Sequence, residues 1–267
     1  GDLIIRGATL DPDRTAIVFP DDRRTYQQLL DGSVAAAQSL HGLGVRAGDR
    51  VGVLMPNSLD YLEVWFGTLL LGAVLVPINS RFRSRELRHV VPAADIAVLA
   101  VADEAGVIAF TERVTHAFPA LAEQTGAADG APLSLAEAPA LRHVVDLSST
   151  GATGLLPAKR LALRDPATIF YTSGTTSLPK GCVLSHEAMV RQGQETAARM
   201  DVRRGDVMFS PLPMFHSACS QPLFAMLWSV GTYCNMQAFD AAVGLRMIAE
   251  EQATVLYTAF PPITDGL

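Results

Sequence analysis

The sequence predicts an α/β fold, with parallel-sheet-rich layers of strands covered by helices. Three features point to it. Short apolar runs such as IAVLAV, Ile96 to Val101, lack polar alternation and so read as strands buried on both faces. Helix-length segments separate these runs, which is the rhythm of strand–crossover–strand units. Capping residues and glycines stand at the joints between them.

The elements follow in order. Thr25 is an N-cap for a helix carrying Tyr26, Leu29, Leu30, Val34 and Ala37 at helical spacing, ended by Gly42 and Gly44. Asp49 to Pro56 (DRVGVLMP) reads as a buried strand. Ser58 caps the next helix, with Leu62, Trp65, Phe66 and Leu69 on one face, and Leu75 to Ile78 is another strand. Ser84 to Val91 reads as helix and Ile96 to Val101 as strand. Thr125 to Pro139, rich in Ala, Gly and Pro, reads as a surface loop, Leu141 to Leu147 as a strand, and Ser148 to Pro157 as a second loop. Ala167 to Tyr171 resumes the strands. Ser185 caps a helix to about Met200, with Glu187 in its first turn where the helix dipole favours an acid. Val207 to Ser210, Thr232 to Met236 and Thr254 to Phe260 read as strands, and Ser217 to Val230 and Asp240 to Gln252 as helices. No internal repeat interrupts the series, and Pro261 to Leu267 does not read as a domain ending, so the chain reads as a fragment.

Composition bounds the rest. A chain of 267 residues that is 49% hydrophobic, with a mean hydropathy of +0.24, buries a substantial core in one large domain or two smaller ones. A formal net charge of −6 speaks against nucleic acid as the partner. The three cysteines, Cys182, Cys219 and Cys234, suit neither a disulfide framework nor a zinc site, and a reducing cytoplasmic compartment is expected. No signal peptide is visible. The most apolar run, Val64 to Ile78, is too short for a transmembrane segment and is broken by two glycines and a proline.

Chemistry concentrates in Ile169 to Gly181, IFYTSGTTSLPKG. Five hydroxyl-bearing residues, Thr172, Ser173, Thr175, Thr176 and Ser177, surround Gly174, and Lys180 follows. A strand leading into such a loop and then a helix is a recurrent phosphate site: small residues let main-chain N–H groups approach anionic oxygens, and the ammonium adds charge. The string is not a Walker A loop, because Gly181 stands where Ser or Thr follows the lysine. As residues alone it also fits an ordinary Ser/Thr/Gly turn.

The full string closely resembles the phosphate-loop signature of the adenylate-forming superfamily: acyl-CoA synthetases, adenylation domains of peptide synthetases and beetle luciferases. LLLGAVLVPIN (Leu69 to Asn79), PLPMFHS (Pro211 to Ser217) and FDAAVGLRMIAEEQATVLYTAFPP (Phe239 to Pro262) resemble further family segments in the same order. The resemblance implies that a carboxylate attacks the α-phosphorus of ATP, which brings Mg2+ with it, and that coenzyme A then takes the acyl group. It implies that Thr172, Ser173, Gly174, Thr175, Thr176 and Lys180 hold the β- and γ-phosphates. The family most often has Gly where this chain has Ser177, which tolerates positive φ poorly.

His216 sits in Pro-Met-Phe-His-Ser between a strand and a helix and, as a residue alone, fits a helix-entry or core histidine. The resemblance implies a place in the acyl pocket, with a positioning or gating role, since a carboxylate nucleophile is already ionised at neutral pH. Peptide-synthetase adenylation domains typically carry Asp in the equivalent segment, so Phe-His favours a simple acid over an amino acid. Met214, Phe215, Phe224, Met226 and Trp228 fit either an acyl tunnel or an ordinary core. Arg81, Arg83, Arg85 and Arg88 read as a solvated helix face, Cys182 as a buried spectator, His186 as structural, and Asp201, Asp206 and Asp240 as caps.

The resemblance covers residues 1–267 as an incomplete N-terminal domain, with residues 49–200 forming a first sheet that carries the phosphate loop and 1–48 with 201–267 forming part of a second. The family's adenine-binding segment, its Thr-Glu pair that helps hold magnesium, its ribose-binding Asp, and the C-terminal lid domain with its mobile Lys lie beyond Leu267. The expected function is therefore the N-terminal part of a fatty- or aromatic-acyl-CoA synthetase, inactive alone and with a homodimer open. The alternatives are a ligase that does not use coenzyme A and a non-catalytic nucleotide-binding remnant.

Overall fold

The computed structural model describes residues 1–103, 108–124, 132–147, 162–172 and 178–258. In chain order the elements are α1 (Asp2–Leu10), β1 (Thr15–Phe19), β2 (Asp22–Thr25), α2 (Tyr26–Gly42), β3 (Arg50–Leu54), α3 (Leu59–Leu70), β4 (Val74–Pro77), α4 (Ser84–Ala93), β5 (Ile96–Val101), α5 (Phe110–Ala117) and α6 (Leu121–Gln124). They continue with β6 (His143–Asp146), β7 (Pro166–Thr172), β8 (Lys180–Ser185), α7 (His186–Arg199), β9 (Val207–Phe209), α8 (Ser217–Ser229), β10 (Thr232–Cys234), α9 (Ala241–Glu250) and β11 (Val255–Leu256).

Local chemistry sets several of these boundaries. Thr25 Oγ1 accepts from the Gln28 N–H at 3.2 Å while Gln28 Oε1 accepts from the Thr25 N–H at 2.9 Å, a reciprocal cap that starts α2. The helix ends where the N–H of Val45 reaches Leu40 O and that of Gly44 reaches His41 O, with Gly44 at φ 81°. Ser58 Oγ accepts from the Tyr61 N–H to open α3, and Asp240 Oδ1 accepts from the Val243 N–H to open α9.

The chain divides into two compact units, residues 1–34, 57–63 and 186–267 in the first and 35–56 and 64–185 in the second. The first unit holds a sheet of order β11-β9-β10-β1-β2, parallel except for β2. Val18, Phe209, Cys234, Met236 and Met247 form its core on one side, with Phe239, Val243 and Ile248 packed against them. Helices α7 and α8 pack together, and Gly193 touches the main chain of Phe224.

The second unit holds a sheet of order β6-β5-β3-β4-β7-β8, parallel except for β8. Every residue of β4 and β5 is buried, as their unbroken apolar runs require. Leu54, Val76, Leu87, Val91, Leu99, Phe110 and Phe118 lie in its main core. Among the described residues, no helix is long and apolar enough to cross a membrane.

Two expectations change. The phosphate string is followed not by a helix but by β8, which pairs antiparallel with β7 along the sheet edge. Residues Lys180 to Val183 of β8 are exposed, so Cys182 is a surface thiol rather than a buried one. The expected loop at 148–157, the first part of that at 125–139, and the end of the strand at 254–260 fall outside the described residues.

Candidate functional site

The β7–β8 ladder fixes the two ends of the hydroxyl-rich string. Its register pairs Tyr171 with Gly181 and Thr172 with Lys180. Ser173, Gly174, Thr175, Thr176 and Ser177 lie outside the described residues, so the string is placed by its stems. Thr172 and Lys180 face each other there, both exposed, and Thr172 Oγ1 donates to Lys180 O at 3.4 Å. Gly181 leaves room that a side chain would take: a Cβ there would lie 3.0 Å from Ile169 Cγ2 and 3.2 Å from Tyr171 Cζ. Burial, assisted by the Asp95 charge, pushes the Tyr171 hydroxyl above its ordinary pKa.

A second tether holds the string's C-terminal end. His89 Nε2 lies 3.0 Å from Pro179 O. A carbonyl only accepts, so Nε2 carries the proton and donates. His89 stands in α4, and its bond fixes the main chain immediately before Lys180. Sequence reasoning passed over His89, because nothing local in SRELRHVV marks it as a partner of a proline carbonyl ninety residues away.

His216 belongs to the first unit. It is the exposed N-cap residue of α8, and its Nδ1 accepts from the Ala218 N–H at 3.1 Å. With Nδ1 committed as acceptor, the neutral ring carries its proton on Nε2. The turn leading to it is closed by the His216 N–H on Pro213 O at 3.0 Å.

A buried polar network lies under that turn. Asn57 Nδ2 donates to Leu212 O at 3.0 Å and Met236 O at 3.1 Å, and Asn57 Oδ1 accepts from the Met214 N–H at 2.8 Å. Asn235 Nδ2 also donates to Leu212 O and to Tyr233 Oη, each at 3.1 Å, and the Tyr233 hydroxyl donates to Ser210 O at 3.1 Å. Burial drives the Tyr233 hydroxyl well above its ordinary pKa and holds it protonated as a donor.

The remaining candidates settle into structural places. Met214, Phe224 and Met226 are buried core residues, and the Arg6 guanidinium lies 5.3 Å from the centroid of the Trp228 ring. Arg88 is no free face residue: it donates to the carbonyls of Ala117 and His116 at the end of α5. Asp240 is a cap, and Asp206 accepts from the Arg203 N–H and the Thr254 hydroxyl. Among the described residues, no group of three or more His, Cys, Asp or Glu side chains is placed to hold a metal ion.

The string's stems present a hydroxyl and an ammonium to solvent, a donor set that suits the oxygens of a polyphosphate. That chemistry agrees with the class the whole chain defines. Residues 6–266 match the family of AMP-binding enzymes, and the chain belongs to that family. It is 33% identical over 258 residues to the long-chain-fatty-acid–CoA ligase FadD13 of Mycobacterium tuberculosis (strain ATCC 25618 / H37Rv), covering 96% of this chain and 48% of that ligase. It is 28% identical over 254 residues to the crotonobetaine/carnitine–CoA ligase of Salmonella agona (strain SL483), covering 91% of this chain and 47% of that ligase. The inhibitor-bound N-terminal domain of FACL13 from M. tuberculosis superposes with a TM-score of 0.81 at 30% identity, covering 98% of this chain and 63% of that one. The chain spans about half the length of the curated relatives it matches.

Proposed function

We propose that this chain is the N-terminal part of an AMP-forming acid–thiol ligase. In the first half-reaction the carboxylate oxygen of the acid bonds to the α-phosphorus of Mg-ATP, and the bond from that phosphorus to the bridging oxygen breaks, releasing pyrophosphate. In the second, the thiol of coenzyme A, as its thiolate, bonds to the acyl carbon and AMP leaves. Supporting this reading above all is the family match running unbroken through the Thr172–Lys180 hairpin.

Each residue has a definite task. Lys180 and the Thr172 hydroxyl, with the string between them, hold the β- and γ-phosphates, and the ammonium offsets the charge that grows on the departing pyrophosphate. His89 keeps Lys180 in place through Pro179. His216, neutral with its proton on Nε2, offers a donor to an oxygen of the acid or its adenylate and does not need to remove a proton. The acid is a simple carboxylic acid, fatty or aromatic. Adenylation needs the length that the relatives have and this chain does not span, so the 267-residue polypeptide alone is inactive.

ATP–pyrophosphate exchange tests the proposal. In the complete protein, Lys180→Ala is expected to lower kcat/KM for ATP by about 10- to 100-fold, equivalent to about 1.4–2.7 kcal/mol. An unchanged value would remove Lys180 from the phosphate site. Exchange by residues 1–267 alone at the rate of the complete protein would refute the division of labour. Acyl transfer to a carrier-protein thiol in preference to coenzyme A would reassign the second step.

A further inference from the structure

We infer that Asn57 is a positioning residue: its carboxamide clamps the Leu212–Met214 main chain and so sets where His216 stands. The inference rests on the role proposed above for His216.

The orientation of the carboxamide is dictated by its surroundings. One main-chain donor, the Met214 N–H, faces Oδ1 at 2.8 Å, and two main-chain carbonyls, Leu212 and Met236, face Nδ2 at 3.0 and 3.1 Å. Turning the group over would set N–H against N–H and oxygen against two carbonyls. The clamp therefore grips both sides of Pro213, a residue with no N–H of its own to anchor it. Pro213 O in turn accepts from the His216 N–H, which makes Asn57 the fixed end of the turn that ends at the histidine.

The rest of the segment gives this clamp a rigid base. Leu212 O takes a second donor from Asn235 Nδ2 at 3.1 Å, and Ser210 is held at both ends, its N–H on Cys234 O and its carbonyl on the Tyr233 hydroxyl. Asn57 lies outside this strand-end cluster in sequence, on the turn just before α3, so it ties Leu212–Met214 to a separate element of the same unit. Packing alone does not require an amide there. An apolar residue would leave the Met214 N–H and the Met236 carbonyl without this partner.

A double-mutant cycle in the complete protein tests the inference, with ATP–pyrophosphate exchange measured on a panel of acids from acetate to hexadecanoate plus benzoate. Asn57→Ala is expected to lower kcat about tenfold or more, as misplacement of a reacting-site group does, with KM for ATP unchanged. In the His216→Ala background it should cost no further rate. Additive losses, or a loss confined to the folded fraction or to KM for ATP, would overturn the positioning role. Where Asn57→Ala fails to fold, Asn57→Asp keeps the acceptor for Met214, loses both donations, and is read the same way. The ring carbon resonance of His216, identified by its disappearance in His216→Ala, supplies a readout independent of turnover. A shift in the Asn57 variants supports the clamp and an unmoved signal refutes it. If the wild-type protein exchanges pyrophosphate with no acid in the panel, the proposed function fails, and the resonance still decides the clamp.

Discussion

Gly193 is where the packing of α7 on α8 is tightest, and replacing it with alanine tests that packing directly. A Cβ at this position would stand 2.7 Å from the carbonyl carbon and the Cβ of Phe224 and 2.8 Å from its carbonyl oxygen. Ordinary contact begins at 3.4 Å, so α7 or α8 must shift by about 3.4 − 2.7 = 0.7 Å. Two of the three atoms are main chain and cannot rotate aside. Overpacking of this kind costs about 1–3 kcal/mol. Against it stands a gain of about 1 kcal/mol from alanine's better helix propensity. Because the obstruction is rigid, the upper half of the overpacking range applies, and the net effect is a destabilisation of about 1–2 kcal/mol. Gly42→Ala is the control: Gly42 ends α2, with nothing within 4 Å of a Cβ and no left-handed φ, so only the propensity gain remains. Urea titration followed by circular dichroism should give a lower midpoint for Gly193→Ala and an equal or higher one for Gly42→Ala, with similar slopes. A Gly193→Ala midpoint at or above wild type would mean that α7 and α8 do not touch through their backbones.

His216→Ala removes the acceptor for the Ala218 N–H and is expected to cost about 1 kcal/mol of stability, whereas His216→Asn keeps a cap and costs little. Denaturation midpoints read that difference, and if adenylation falls equally in both variants, the ring acts at the site as well as at the cap. The thiols separate by exposure: native protein at pH 8 should show one fast-reacting cysteine towards an aromatic disulfide reagent, abolished by Cys182→Ser, while Cys219 and Cys234, pushed up to about 12 by burial, react only on unfolding. Three fast thiols would contradict the fold. The same raised values fix a pH dependence. The unfolded chain releases these protons near the ordinary value of 9.0 and the folded one near 12, so their stabilisation is complete below about 9 and lost as pH rises to about 12. Cys219→Ala should flatten the fall in stability over that window.

The central strands were legible because burial on both faces leaves no choice of residue. The run Ile96 to Val101 coincides with β5 residue for residue, and Thr25, Ser58 and Asp240 cap the helices they were expected to cap. The edges were not legible. β2 reads DRRT, and its arginines are spent on ion pairs with Glu251 and Glu63 rather than on a core. β8 is exposed along its first four residues. Strands of this kind are held by main-chain ladders, which any side chain permits, so an apolar pattern cannot reveal them. α5, FTERVTHA, escaped for a related reason: only Phe110, Val114 and Ala117 are buried among polar neighbours.

The site divides along the same line. Its chemistry lies in contiguous strings, IFYTSGTTSLPKG and PLPMFHS, and such strings are visible without any fold. Its supports are not: Asn57 meets Leu212 and His89 meets Pro179 across separations of 155 and 90 residues, and a single sequence contains no record of such pairings. The missed strand β8 also changes the electrostatics expected of the phosphate loop. A loop running straight into a helix draws on the partial positive charge of the helix N-terminus, which fades within a turn. Here β8 separates the string from α7, so that contribution is absent and the fixed positive charge at the string's described end is Lys180 itself. Neutral donors such as Thr172 share the remaining work, each worth roughly half a charged one. Lys180→Ala should therefore slow pyrophosphate exchange clearly more than Thr172→Ala, and equal losses would mean that geometry rather than charge dominates at this loop.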